Sequence, residues 1–213
     1  MNMRNLCTIF LMGLLILGAA CKKSSDGYEP LGGSQSAIGE VGNSFSIGSI
    51  SGVNNVSANV TELSNGVSTI AYSATVTNPS YLEMIKSMDD VTVSGNSIQR
   101  EREYRITTEG IESVYPEGNL TLVKYDTKVG DVYSLDRGSK TIRREVTSVS
   151  HDDDYYWGGM YIKTIHVKET GRGIPGVSNI EFVFNHKFGI VGLKISFEDG
   201  TSKEIGIFSN SNN

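Results

Sequence analysis

The sequence predicts a mainly β fold of antiparallel strands with one short helix. Three observations carry that reading. Apolar and polar residues alternate with period two along several stretches, as in strands with one buried and one wet face. Asn65-Gly66 and Asp199-Gly200 sit between such stretches, and these pairs suit type I′ hairpin turns, which need positive φ at both residues. A single segment departs from alternation and carries a helical pattern instead. About eleven candidate strands can be counted, at the short regular spacing of antiparallel sheets.

In chain order, residues 1–20 stand apart from the body. Arg4 and the amino terminus form a positive n-region, and Leu6 to Ala20 is almost wholly apolar, too short for a spanning helix, which needs about 20 such residues. Small residues Gly18-Ala19-Ala20 precede Cys21, the grammar of a secretory signal. The run Leu17 to Cys21, L-G-A-A-C, resembles the bacterial lipobox, with Gly18 where that family usually has Leu. The resemblance implies cleavage before Cys21, a diacylglyceryl group on its thiol and an acylated new amino terminus. The following Lys22-Lys23-Ser24-Ser25 resembles the start of mature lipoproteins of the Bacteroidota. Cys7 would leave with the signal, so the mature chain would have one Cys at its terminus and no intrachain disulfide or catalytic thiol. Two anchoring signals suffice for stable membrane attachment.

Residues 21–43 read as the lipidated Cys and a Gly/Ser-rich tether, with a reach of roughly 25 Å. Residues 44–208 read as one β-rich domain, and 209–213 as a polar tail. Ile70, Tyr72, Ala74 and Val76 alternate with polar or small neighbours and predict a strand. Residues 78–88 predict the helix, with Ser80 and Glu83 as a capping box, Pro79 just outside it, and Leu82, Ile85 and Met88 towards the sheet. Arg100 and Arg102 share a strand face with Ile98, Tyr104 and Ile106, and read as charges that blunt an edge strand. Ile180, Phe182 and Phe184 predict a further strand, and Val191, Leu193, Ile195 and Phe197 another.

The halves echo each other. Val41 to Ile47 parallels Val129 to Leu135, Val60 to Ser64 parallels Val146 to Ser150, and Glu109-Gly110-Ile111 sits where Phe188-Gly189-Ile190 sits later. These matches suggest a duplicated meander, with repeats at 44–117 and 126–208. The motifs V-G-D-x-Y, Val129 to Tyr133, and F-G-I-V-G, Phe188 to Gly192, resemble bacterial envelope lipoproteins whose domain is a curved antiparallel sheet. Lipoprotein carriers of that family fold as an incomplete barrel closed by a helix. The resemblance implies a strongly curved antiparallel sheet or incomplete barrel with one short helix, implies a binding role and brings no catalytic residues.

The residues give few signs of chemistry. The chain has 24 Asp and Glu against 19 Lys and Arg, which argues against a nucleic-acid binder. The G-x-G-x-x-G at Gly171 to Gly176 holds Pro175 and runs into a strand, so it reads as a loop and not a phosphate cradle. Asp152 and Asp154 are weak candidates for Ca²⁺, but the spaced oxygens of a calcium loop are missing, and the run reads better as a hairpin tip. The three His have no zinc spacing. Tyr155, Tyr156, Trp157 and Tyr161 form an aromatic cluster that would either contact a ligand or partner, or plug the sheet core. No residue is assigned as catalytic, and neither a cofactor nor a metal is expected. The expectation is a non-enzymatic, lipid-anchored cell-envelope protein of the outer membrane, periplasmic or surface-facing, that binds a small or apolar ligand or an envelope protein. The alternatives are a glycan hydrolase using carboxylates such as Asp152, Asp154 or Glu181, and a surface adhesion or assembly module.

Overall fold

The computed structural model describes residues 31–86 and 91–210. The signal segment, Cys21, the first part of the tether and Met88 lie outside these residues. The packed body begins at Leu31, so the stretch read as tether ends earlier than expected. Leu31 and Ile38 are buried, Gln35 bridges Thr107, and Ala37–Gly39 make one 3-10 turn. The few apolar residues in this stretch are enough to dock it, because the sheet offers them an apolar surface that the sequence pattern does not reveal.

Fifteen strands are described. They are β1 (Ser44–Ile47), β2 (Val53–Ser64), β3 (Val67–Val76), β4 (Thr92–Ser94), β5 (Ser97–Thr107), β6 (Gly110–Ser113), β7 (Leu120–Lys124) and β8 (Val132–Arg137). The rest are β9 (Lys140–Val149), β10 (Tyr155–Trp157), β11 (Met160–Ile162), β12 (Ile165–Thr170), β13 (Val177–Asn185), β14 (Gly189–Phe197) and β15 (Ser202–Asn210). The last strand runs two residues into the stretch read as a tail. One helix, α1 (Pro79–Lys86), lies between β3 and β4.

Twelve strands form one antiparallel path, β7-β6-β5-β3-β2-β1-β15-β14-β13-β12-β9-β8, with β4 added beside β5. The path curls until β7 and β8 approach each other, but no ladder joins them. The result is a nearly closed, strongly curved sheet with one unsealed seam, as expected for an incomplete barrel. β10 and β11 form a separate hairpin.

The two meanders repeat the same backbone bonds. The Gly42 N–H donates to Val60 and the Val60 N–H to Asn43, at 3.1 and 2.9 Å. The Gly130 N–H donates to Val146 and the Val146 N–H to Asp131, both at 2.9 Å. Gly42 and Gly130 both hold positive φ, 94° and 93°. Phe45 pairs with Ala58 across β1 and β2, as Tyr133 pairs with Arg144 across β8 and β9. The strand orders correspond too: β1-β2-β3-β5-β6-β7 is followed by β8-β9-β12-β13-β14-β15. The correspondence breaks at the edges, because β1 pairs with β15 but β8 does not pair with β7.

At the seam, side chains do what a ladder would. Arg144, where the first meander has Ala58, is 1% exposed and donates from one guanidinium nitrogen to the carbonyls of Leu120 and Thr121 on β7, at 3.1 and 3.0 Å. It also pairs with Glu169 at 2.8 Å, and Glu169 takes both Arg172 nitrogens at 2.5 and 2.7 Å. Burial pushes the Glu169 carboxyl up, but the two guanidiniums outweigh it and hold the group below its ordinary value. Removing one member of a buried pair like this costs about 3–5 kcal/mol. Arg137 reaches Glu117 across the same gap and lies 4.6 Å from the Tyr115 ring centroid.

Two local expectations are corrected. Asn65 and Gly66 have φ of 51° and 74°, as a type I′ turn needs, but at Asp199-Gly200 only Gly200 is positive. Asp199 instead accepts the Thr201 N–H at 2.9 Å, so a side-chain turn replaces the tight hairpin. In α1, Pro79 is the first helical residue, and the cap is Asn78, whose Oδ1 accepts the N–H groups of Ser80 and Tyr81 at 2.9 and 3.3 Å. Proline fits that first position because its missing N–H would have no helical partner there. The capping box of Ser80 and Glu83 is therefore not used; Glu83 pairs with Lys86.

Candidate functional site

The curl of the sheet leaves a cavity of about 500 Å³ inside it, within the range of small-molecule sites. Its walls are the inward positions of both meanders. Ile47, Val53, Val56, Ala74 and Val76 line one side, and Ile180, Phe182, Leu193, Ile195 and Ile205 the other. The helix contributes Tyr81, Met84 and Ile85. The alternation that predicted strands is therefore what builds the lining, since every second residue faces the concave side. A smaller apolar cavity of about 70 Å³ adjoins it and shares Ile47, Tyr72, Tyr104, Ile190 and Ile207.

The polar groups of the cavity lie on the first meander and the seam, with Lys203 of β15 apart from them. Tyr72 and Tyr104 share a 3.3 Å hydroxyl contact, and burial pushes both phenols up. Arg100 and Arg102 line the cavity from β5. This corrects the edge-strand reading. β5 lies between β3 and β6, and the arginines stand opposite Tyr72 and Ile70 on the inner face. Composition alone signals a solvated face, but position in the sheet decides which face is wet. Arg102 stacks 5.2 Å from the Tyr115 ring centroid. Burial raises the Tyr115 phenol, yet Arg172, Arg144 and Arg102 together bring it below its ordinary value. Lys140, Lys203, Arg144 and Arg172 complete the charged lining, and no carboxylate lines the cavity among the described residues.

The aromatic cluster predicted as a contact site is divided by the fold. Trp157 is buried on the outer face of β13–β15, between Phe188 and Phe208 with ring centroids 4.5 and 5.4 Å away. Its indole N–H donates to the Ile207 carbonyl at 2.8 Å. Tyr155 packs beside it, half-buried. Tyr156 and Tyr161, edge to face at 5.4 Å, are exposed with Met160. None of the four lines the cavity. Asp152 and Asp154 are exposed in the β9–β10 connection. Among the described residues no group of three or more His, Cys, Asp or Glu is placed to hold a metal ion. Glu181 lies 3.0 Å from His166 and in register with Lys168 and Lys194. The Gly171–Gly176 run is a loop from β12 to β13, as expected, and Gly173 and Ile174 reach the cavity lining.

The sequence reading missed Arg100, Arg102, Tyr104 and Tyr115 as site residues. The signal was present in the shared face of Ile98, Arg100, Arg102 and Tyr104, but its direction was not. Comparison with known proteins found no matching family model, no matching curated protein and no matching solved structure.

Proposed function

We propose that the chain is a lipid-anchored cell-envelope protein that acts by binding, not catalysis, and holds a small apolar molecule inside its curved sheet. One observation carries the reading: the apolar cavity of about 500 Å³, lined by inward residues of both meanders. Cys21, acylated and at the start of the tether, would attach it to the membrane, in an outer membrane facing periplasm or surface. The glycan-hydrolase alternative needs two carboxylates about 5–9 Å apart, and the described lining supplies none. A second reading, partner binding, is favoured by Tyr156, Met160 and Tyr161, which are exposed together on the outer hairpin.

The test is extraction of residues 22–213, purified without detergent, followed by mass spectrometry for a co-purified apolar molecule and titration with a neutral apolar fluorophore. A stoichiometric ligand, or saturable fluorophore binding that weakens when Leu193 and Ile195 become Asn, supports the reading. An empty protein that takes up no fluorophore overturns it, and Tyr156→Ser with Tyr161→Ser then becomes the pair to test in partner capture.

A further inference from the structure

We propose that the ligand is an amphiphilic anion, its apolar body against the Ile, Val, Leu and Phe wall and its acid head at Arg100. The inference rests on the proposed cavity-binding function and adds the chemistry of the occupant. The inward arginines of β5 line the concave space and are partly buried, paired across to Tyr72 and Ile70 of β3. A guanidinium in an apolar cavity carries a desolvation cost that only hydrogen bonds to an anion or other acceptors offset. For Arg144 and Arg172 that offset is visible, since both bond Glu169. Arg100 differs. Its Nε is buried with no hydrogen-bond partner, and the residue across from it, Tyr72, already shares its hydroxyl with Tyr104.

The rest of the lining agrees in sign. Arg102, Lys140 and Lys203 are also cationic, and no described lining residue is acidic. The Tyr115 phenol, on the same wall, is lowered by Arg172 and Arg144 first and by Arg102 after them. A carboxylate or phosphate matches the planar guanidinium fork and would accept the orphaned Nε hydrogen. An uncharged apolar ligand would fill the wall but leave that donor buried and unpaired. The shared requirement is thus a long apolar chain ending in one acidic group, supplied either by a fatty acid or by a monoalkyl phosphate.

Residues 22–213 are first saturated with a neutral apolar fluorophore, which is then displaced in turn by a long-chain fatty acid, the alcohol of the same chain, and the monoalkyl phosphate. The acid is expected to compete about tenfold better than the alcohol, as hydrogen bonds to a charged group allow. Arg100→Met should abolish that preference, read as the ratio of acid to alcohol competition within the same variant, while Arg100→Lys should retain part of it. Unchanged Trp157 emission and thermal midpoint establish that each variant is folded. If acid, phosphate and alcohol compete equally, or if Arg100→Met folds and keeps the preference, the anionic head is wrong and the cavity-binding function stands. If neither fluorophore nor acid binds, that function fails as well. A phosphate that outcompetes the acid supports the inference and assigns the head to phosphate.

Discussion

At the scale of single residues, the interior of this sheet holds more ionisable groups than a period-two pattern leads one to expect. Arg144, Glu169 and Glu112 are all almost fully buried. The first two satisfy each other, but both Glu112 carboxylate oxygens lack a hydrogen-bond partner of good geometry. Burial pushes the Glu112 carboxyl above its ordinary value, outweighing the attraction of Asn119, the Leu31 backbone and Lys124. The sign follows from linkage. A raised carboxyl binds its proton more tightly in the folded chain, so its contribution to stability is present at low pH and lost as pH rises through the raised value. Glu112→Gln should therefore match the parent chain in acid and exceed it near neutrality. Thermal midpoints compared from about pH 4 to about pH 8 read this directly, and parallel curves for the two chains would refute it.

At the scale of elements, α1 is the part most dependent on its surroundings. Eight residues are too few for a helix to persist alone in water, and none of its side chains is fully buried. It is held by the Asn78 cap and by Tyr81, Met84 and Ile85 along the cavity. Asn78→Ala should cost about 1 kcal/mol of helix stability and weaken binding of a neutral fluorophore by up to about fivefold. Equal affinity in titrations of the two proteins would mean that α1 is not part of the binding wall. The β10–β11 hairpin shows the opposite case, for Trp157 fixes it to the outer face through stacking and an indole bond. Both elements were visible in sequence as departures from the surrounding pattern. Their roles were not, because a Trp beside tyrosines reads alike whether it is a contact or an anchor.

At the scale of the whole molecule, the two meanders are joined differently at their two junctions. β1 and β15 share a ladder, whereas at the seam Arg144 of β9 bonds β7, Arg137 of β8 pairs with Glu117, and Tyr115, Leu120, Ile142 and Leu135 pack together. Edge strands without ladder partners open more readily than paired ones. Native-state hydrogen exchange should therefore be faster for those β7 and β8 amides that face the gap than for the amides β1 and β15 share. Equal protection at both junctions would show that the side-chain bridge seals the sheet as firmly as a ladder.

The sequence by itself determined the class of the fold, because period-two alternation gives each strand one apolar face that is buried by pairing into a sheet. Gly42 and Gly130, matched positions in the sequence, also make matching backbone bonds. The tertiary structure alone decided which face is the inside. Arg100 and Arg102 became cavity residues because β5 lies within the sheet, while Tyr156 and Tyr161 stayed outside because their hairpin is anchored on the convex side. The physical reason is that alternation fixes which residues share a face, but only the pairing of distant strands fixes the direction in which that face curves.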